Sequence, residues 1–173
     1  MGLLRDRGPD GTRYRMREKL VSIGDDAWIE DDNGERVFRV DGKALRMRKT
    51  LKLEDSEGNE VCKIQERRLR IRDTMEIEAP DGRRLGLIQK AMITPLRERF
   101  EVEVPDAPEL KVRGKILDHE YGIKQDGEKI AEVSKRWFRM RDTYGIDIAP
   151  GQDEVLILAI AVALDAMEHD EPG

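Results

Sequence analysis

His119, His169 and Cys62 are the side chains of this sequence able to act near neutral pH as general base, nucleophile or soft metal ligand. Their spacing supports none of those roles. His119 lies in the turn-like "LDHEYG" and His169 in a tail, "MEHDEPG", with no cysteine or second histidine beside either. Both read as surface histidines. Cys62, in the strand-like "EVCKI", reads as a small buried hydrophobe. The acidic "EDDNGE" resembles a calcium loop, but Ile29 stands where the D-x-[DN]-x-[DN]-G pattern needs its first Asp, so a hairpin turn is expected. No phosphate-binding loop, nucleophile elbow or dinucleotide turn is present. The residues therefore imply no catalytic site, no metal and no cofactor, and the expected activity is not enzymatic.

Cations are the remaining chemistry. Arg46, Arg48 and Lys52, then Arg70 and Arg72, then Arg139 and Arg141 alternate with apolar residues. They form a candidate site for an anion or lipid head group, and the plainer reading is cross-strand pairing with acids such as Glu54, Glu76 and Glu78 on a solvated face. Trp137, beside Arg136, fits either an interfacial anchor or a half-buried aromatic at the end of a barrel.

These cations recur because the chain repeats. "LRMRKTLKLEDSEGNEVCKI" (Leu45 to Ile64) aligns with "LRIRDTMEIEAPDGRRLGLI" (Leu69 to Ile88), and "FRMRDTYGIDI" (Phe138 to Ile148) repeats the first half. A weaker relative, "YRMREKLVSI", begins at Tyr14. Leu45, Met47, Leu51 and Leu53 fall on one face of a period-2 pattern, as do Leu69, Ile71, Met75 and Ile77, which predicts half-buried strands. Lys49, Asp73 and Asp142 interrupt the apolar register, so a bend, bulge or short turn is expected at each. Asn33-Gly34, Asp41-Gly42, Asp81-Gly82 and Asp126-Gly127 are hairpin dipeptides, with Gly58 in a similar slot. About a dozen short strands are expected between Arg13 and Ile148.

The last element differs in kind. After Pro150-Gly151, Asp153 is a suitable N-cap and Glu154 a favourable first-turn acid for a helix over about 153–168. Its apolar residues surround the whole cylinder, so every side must be buried. Val155 to Leu164 spans only about 15 Å, half of a bilayer core of about 30 Å. The interior of a closed sheet suits it better. Twelve strands tilted about 40° enclose a backbone radius of about 12 Å, room for a helix and one layer of inward side chains. A mainly β fold is predicted, a closed antiparallel barrel of about twelve strands around a C-terminal helix. It forms one domain over 13–168, with a flexible segment at 1–12 and a tail at 169–173.

Composition agrees. With 37 acids and 32 bases the net charge is −5 and 40% of residues are charged, which argues against a nucleic-acid partner. One cysteine excludes an internal disulfide and fits a reducing cytoplasm. No signal peptide or transmembrane segment is expected, and Asp6 stands where myristoylation needs Ser or Thr.

"KRWFRMRDTYGIDIAPGQDEVLILAIAVALDAM" (Lys135 to Met167) resembles the C-terminal signature of the LURP-one-related family, and "YRMREKLVSIGDDAWIEDDNGERVFRVDGK" (Tyr14 to Lys43) resembles its upstream part. The resemblance covers about residues 13 to 168. It implies the tubby-like barrel, threaded by a C-terminal helix and shared with phospholipid scramblases. Two roles follow as expectations: a soluble binding or scaffold protein with a protein partner, or a peripheral membrane protein that meets anionic phospholipid head groups through basic outer-wall strands.

Overall fold

The computed structural model describes residues 11–17, 26–41, 50–69, 72–93, 98–138 and 143–169. Twelve strands and one helix follow in chain order: β1 Thr12–Arg17, β2 Ala27–Glu30, β3 Arg36–Asp41, β4 Thr50–Asp55, β5 Glu60–Leu69, β6 Arg72–Glu78, β7 Arg84–Ile93, β8 Glu98–Glu103, β9 Leu110–Lys115, β10 Glu120–Gln125, β11 Glu128–Ser134, β12 Thr143–Ile148 and α1 Glu154–His169. Each strand pairs antiparallel with the next, and β1 closes on β12 from Thr12↔Ile148 to Arg17↔Thr143. The result is a closed barrel, which leaves no open edge to recruit another strand.

Hairpin chemistry places the strands. At the β4–β5 turn the Asp55 Oδ1 accepts the backbone N–H groups of Glu57 and Asn59, and Gly58 takes φ +87°. The "EDDNGE" stretch closes β2 onto β3 in the same manner, with Asp31 Oδ1 accepting from Asn33 and Glu35. Asp126 and Gly127 make the two-residue turn between β10 and β11. Asp41 ends β3, and the Gly42 of its expected turn lies outside the described residues.

The repeat needs one correction. The second copy was expected to break at Asp73 with a bend, bulge or short turn, yet the strand boundary comes earlier, since Leu69 ends β5 and pairs with Arg72 at the start of β6. Arg70 and Ile71, between the two strands, lie outside the described residues. Lys49 and Asp142, where interruptions were also expected, lie outside the described residues, whereas Asp73 lies inside β6 in regular register with Arg68.

α1 occupies the lumen. Asp153 caps it, its Oδ1 accepting the N–H of Leu156 at 3.1 Å. From Leu158 to Leu164 no residue exceeds 1% exposure. Inward residues of the strands, among them Met16, Ile29, Leu53, Ile77, Phe100, Val112, Ile123 and Ile146, complete that core. The helix runs to His169, a residue expected in the tail. Residues 1–10 and 170–173 lie outside the described set.

Candidate functional site

With the lumen filled, chemistry must be sought in buried polar groups or on the outer wall. Cys62 is fully buried, and burial, followed by the charges of Glu60 and Asp153, pushes its thiol up to about 12, so it is neither accessible nor ionised. Among the described residues no cluster of His, Cys, Asp and Glu has the geometry to hold a metal ion.

His119 is not at the surface. It is 7% exposed, stacks on Tyr144 with centroids 4.1 Å apart, and its Nε2 lies 2.9 Å from Asp165 Oδ1 on α1. The residue takes φ +51° in the β9–β10 turn, and its ring reaches the helix across the barrel mouth. Burial, then the carboxylate of Asp165, pushes the phenols of Tyr144 and Tyr121 well above their ordinary value. A sequence signal existed: Asp165 is the lone charge between Val155 and Met167, and a buried carboxylate requires a partner. The cluster is sealed and ties α1 to the wall.

Of the candidate cations, Arg46, Arg48, Arg70, Arg139 and Arg141 lie outside the described residues, and Arg72 belongs to β6 with its side chain outside them. Lys52 is half-buried on β4, between Asp41 of β3 and Lys63 of β5. Elsewhere the expected pairing with acids holds. Arg39 bonds Glu54, Lys63 meets Glu78 at 3.6 Å, Arg13 grips Asp147 and Arg15 faces Glu30, each directly across a strand pair. Trp137 is half-buried, with Arg13 stacked 4.4 Å above its ring.

Glu76 shows what such pairing does. Burial pushes its carboxyl up, but Arg84, at 2.9 Å, and Arg67 outweigh it and hold the pKa below the ordinary 4.5. A carboxyl depressed on folding adds stability that is complete above its unfolded value and lost as pH falls through the folded one. The urea midpoint is therefore expected to decline on acidification below about pH 4.5, and Glu76→Gln to flatten that decline. Parallel pH profiles for both proteins would remove Glu76 as the source.

One part of the wall breaks the pairing rule. Across β9, β10 and β11 a groove of about 810 Å³ opens on the outside of the barrel. Lys111, Lys124 and Lys129 stand side by side along one rung, Lys124 directly opposite both others. On the next rung Arg113 faces Gly122 on one side and Arg99 of β8 on the other. Like charges directly opposite each other destabilise a sheet. Lys129 is relieved by Glu132 at 2.9 Å, whereas Lys111, Arg113 and Lys124 form no ion pair with any described residue. These cations were absent from the candidate set because register, rather than sequence proximity, brings them together.

Comparison with known proteins agrees with the architecture. A model of the LURP-one-related family matches residues 12–165. No curated protein matches the chain. Among solved structures, an Arabidopsis thaliana protein superposes with a TM-score of 0.70 at 16% identity, over 95% of each chain. At that identity the likeness concerns the fold.

Proposed function

The chain belongs to the LURP-one-related family, and from that premise we propose that it is a non-enzymatic binding or scaffold protein whose working surface is the outer wall. One observation carries this reading. The lumen, the usual seat of a ligand in a barrel, is occupied by residues with no more than 1% exposure from Leu158 to Leu164. A partner must then be recognised by strand faces and turns.

Native-state hydrogen exchange tests the reading without knowledge of the partner. Amides of α1 are expected to exchange only through global unfolding, with protection that tracks total stability. If α1 opens separately at a much lower free energy, the lumen is accessible and the outer-wall reading fails.

The second reading, a peripheral protein on anionic phospholipid head groups, is favoured by the cations of β9 and β10 that form no ion pair with any described residue. No helix among the described residues is long and apolar enough to cross a membrane, so such contact would be made at the surface. Flotation with phosphatidylcholine vesicles, with and without phosphatidylglycerol, separates the readings. Salt-sensitive binding confined to the anionic vesicles supports the peripheral form, and absence of binding at low salt rejects it.

A further inference from the structure

Four glycines sit inside strands or beside packed segments of the described barrel, and three are required by their surroundings. A Cβ on Gly86 would press on the Leu156 side chain of α1 at 3.2 Å, one on Gly145 would collide with Phe138 at 2.6 Å, and Gly114 combines φ +146° with a clash against the β10 backbone. Gly122 differs. Its φ is not in the left-handed region, and an added Cβ would meet nothing nearer than the Ala131 carbonyl at 3.9 Å. Neither backbone conformation nor packing demands a glycine there. Mid-strand glycine costs about 0.5–1 kcal/mol relative to alanine. What its missing side chain leaves is open space in the floor of the groove across β9–β11.

The cations converge around that space. Arg113 lies directly opposite Gly122, and Lys111 and Lys124 form the adjoining rung. Neighbouring strands are about 4.8 Å apart, so the three side chains can reach one compact group seated over Gly122. Arginine offers a planar fork and each lysine three donors, a set suited to the several acceptor oxygens of one anion. Lys111 has Glu101 of β8 opposite it on its far side, but none of the three cations is held in an ion pair with a described residue, so they repel one another when the groove is empty and are relieved when an anion enters. Three acids also line the groove: Glu132 of β11 lies opposite Gly122 and is engaged by Lys129 at 2.9 Å, whereas Glu109, which precedes β9, and Asp126, in the hairpin turn after β10, mark its other end. They suit hydroxyl groups rather than a second anion. The volume of about 810 Å³ exceeds what one phosphate requires and leaves room for an organic remainder.

We infer that the β9–β11 groove is a binding site for a phosphate ester carrying a hydroxylated organic part, with the phosphate over Gly122 between Arg113, Lys111 and Lys124 and the hydroxyls toward Glu109 and Asp126. This deepens the outer-wall reading and rests on it. The same chemistry is available from a soluble sugar phosphate or from a lipid head group, and the test has an arm for each.

In the first arm the full chain is titrated with ribose 5-phosphate, with ribose as control, and followed by amide chemical shifts. In the second, vesicles containing phosphatidylinositol replace the sugar phosphate, with phosphatidylcholine vesicles as control. Binding in either arm, centred on Arg113, Gly122 and Lys124 and weakened by salt, is the expected result and identifies the source. Gly122→Val is the decisive variant, because valine suits a strand, its Cβ meets nothing nearer than 3.9 Å and its methyl groups would project into the notch. It is expected to keep or raise the melting temperature while weakening binding at least tenfold. Lys111→Gln combined with Lys124→Gln should weaken binding comparably. The assignment is overturned if neither probe binds at low salt, or if Gly122→Val binds as the wild type does. Failure here with α1 amides fully protected removes only the groove, whereas early opening of α1 removes the outer-wall reading itself.

Discussion

A chain ended at Gly151, lacking α1, is expected to purify as an aggregate or as a molten species with collapsed amide dispersion and exposed apolar surface. Two losses act together. The helix residues from Leu156 to Leu164 are nearly or wholly buried, and their burial contributes on the order of 15 kcal/mol as an upper bound. That matches the entire stability of an ordinary domain, about 5–15 kcal/mol. The inward side chains of the strands, Phe100, Ile77 and Ile146 among them, would also line an open lumen. A void of that size cannot be closed by side-chain repacking, since each strand is held in register by two neighbours. Leu164→Ala gives the graded version, a loss of about 2–5 kcal/mol by urea denaturation with the fold retained. A soluble, monomeric truncation with dispersed amides would refute the barrel's dependence on its helix.

Asp165→Ala is expected to destabilise the protein by about 3 kcal/mol, far more than loss of the exposed Lys129–Glu132 pair, which is worth less than about 1 kcal/mol. Asp165 is 5% exposed and its bond to His119 crosses from α1 to the β9–β10 turn. Removing the carboxylate leaves the imidazole buried without that partner, and stacking on Tyr144 cannot replace a hydrogen bond. The double variant His119→Leu, Asp165→Leu should recover much of the loss, because two apolar groups in contact leave neither an imidazole nor a carboxylate without its partner. Chemical denaturation of the wild type, the single variants His119→Leu and Asp165→Leu and the double variant gives the coupling energy directly. A single variant within about 0.5 kcal/mol of the wild type, or strict additivity in the cycle, would show that the pair does not join helix to wall.

Local rules accounted for much of this molecule. Asp55 with Gly58 and Asp126 with Gly127 placed hairpins, because a turn's dihedral demands act over four residues. Arg39 with Glu54 and Arg67 with Glu76 paired as strand alternation implied. The candidate cations fared differently. Most of them lie outside the described residues, and Lys52 stands between Asp41 and Lys63.

What the sequence alone determined is whatever depends on near neighbours: strand periodicity, turn positions, the Asp153 cap, and a helix too apolar to face water and too short to span a bilayer. Those facts together imply a closed barrel around its own C-terminus. What only the tertiary structure decided is register and facing. Lys111, Lys124 and Lys129 lie on three different strands and share a rung only because hairpin geometry and a bulge between Ile123 and Lys124 align them. His119 and Asp165 are distant in the chain and meet because the helix returns through the barrel. A one-residue shift in any of these pairings would exchange inside for outside, so which cations form a site is a property of the closed sheet.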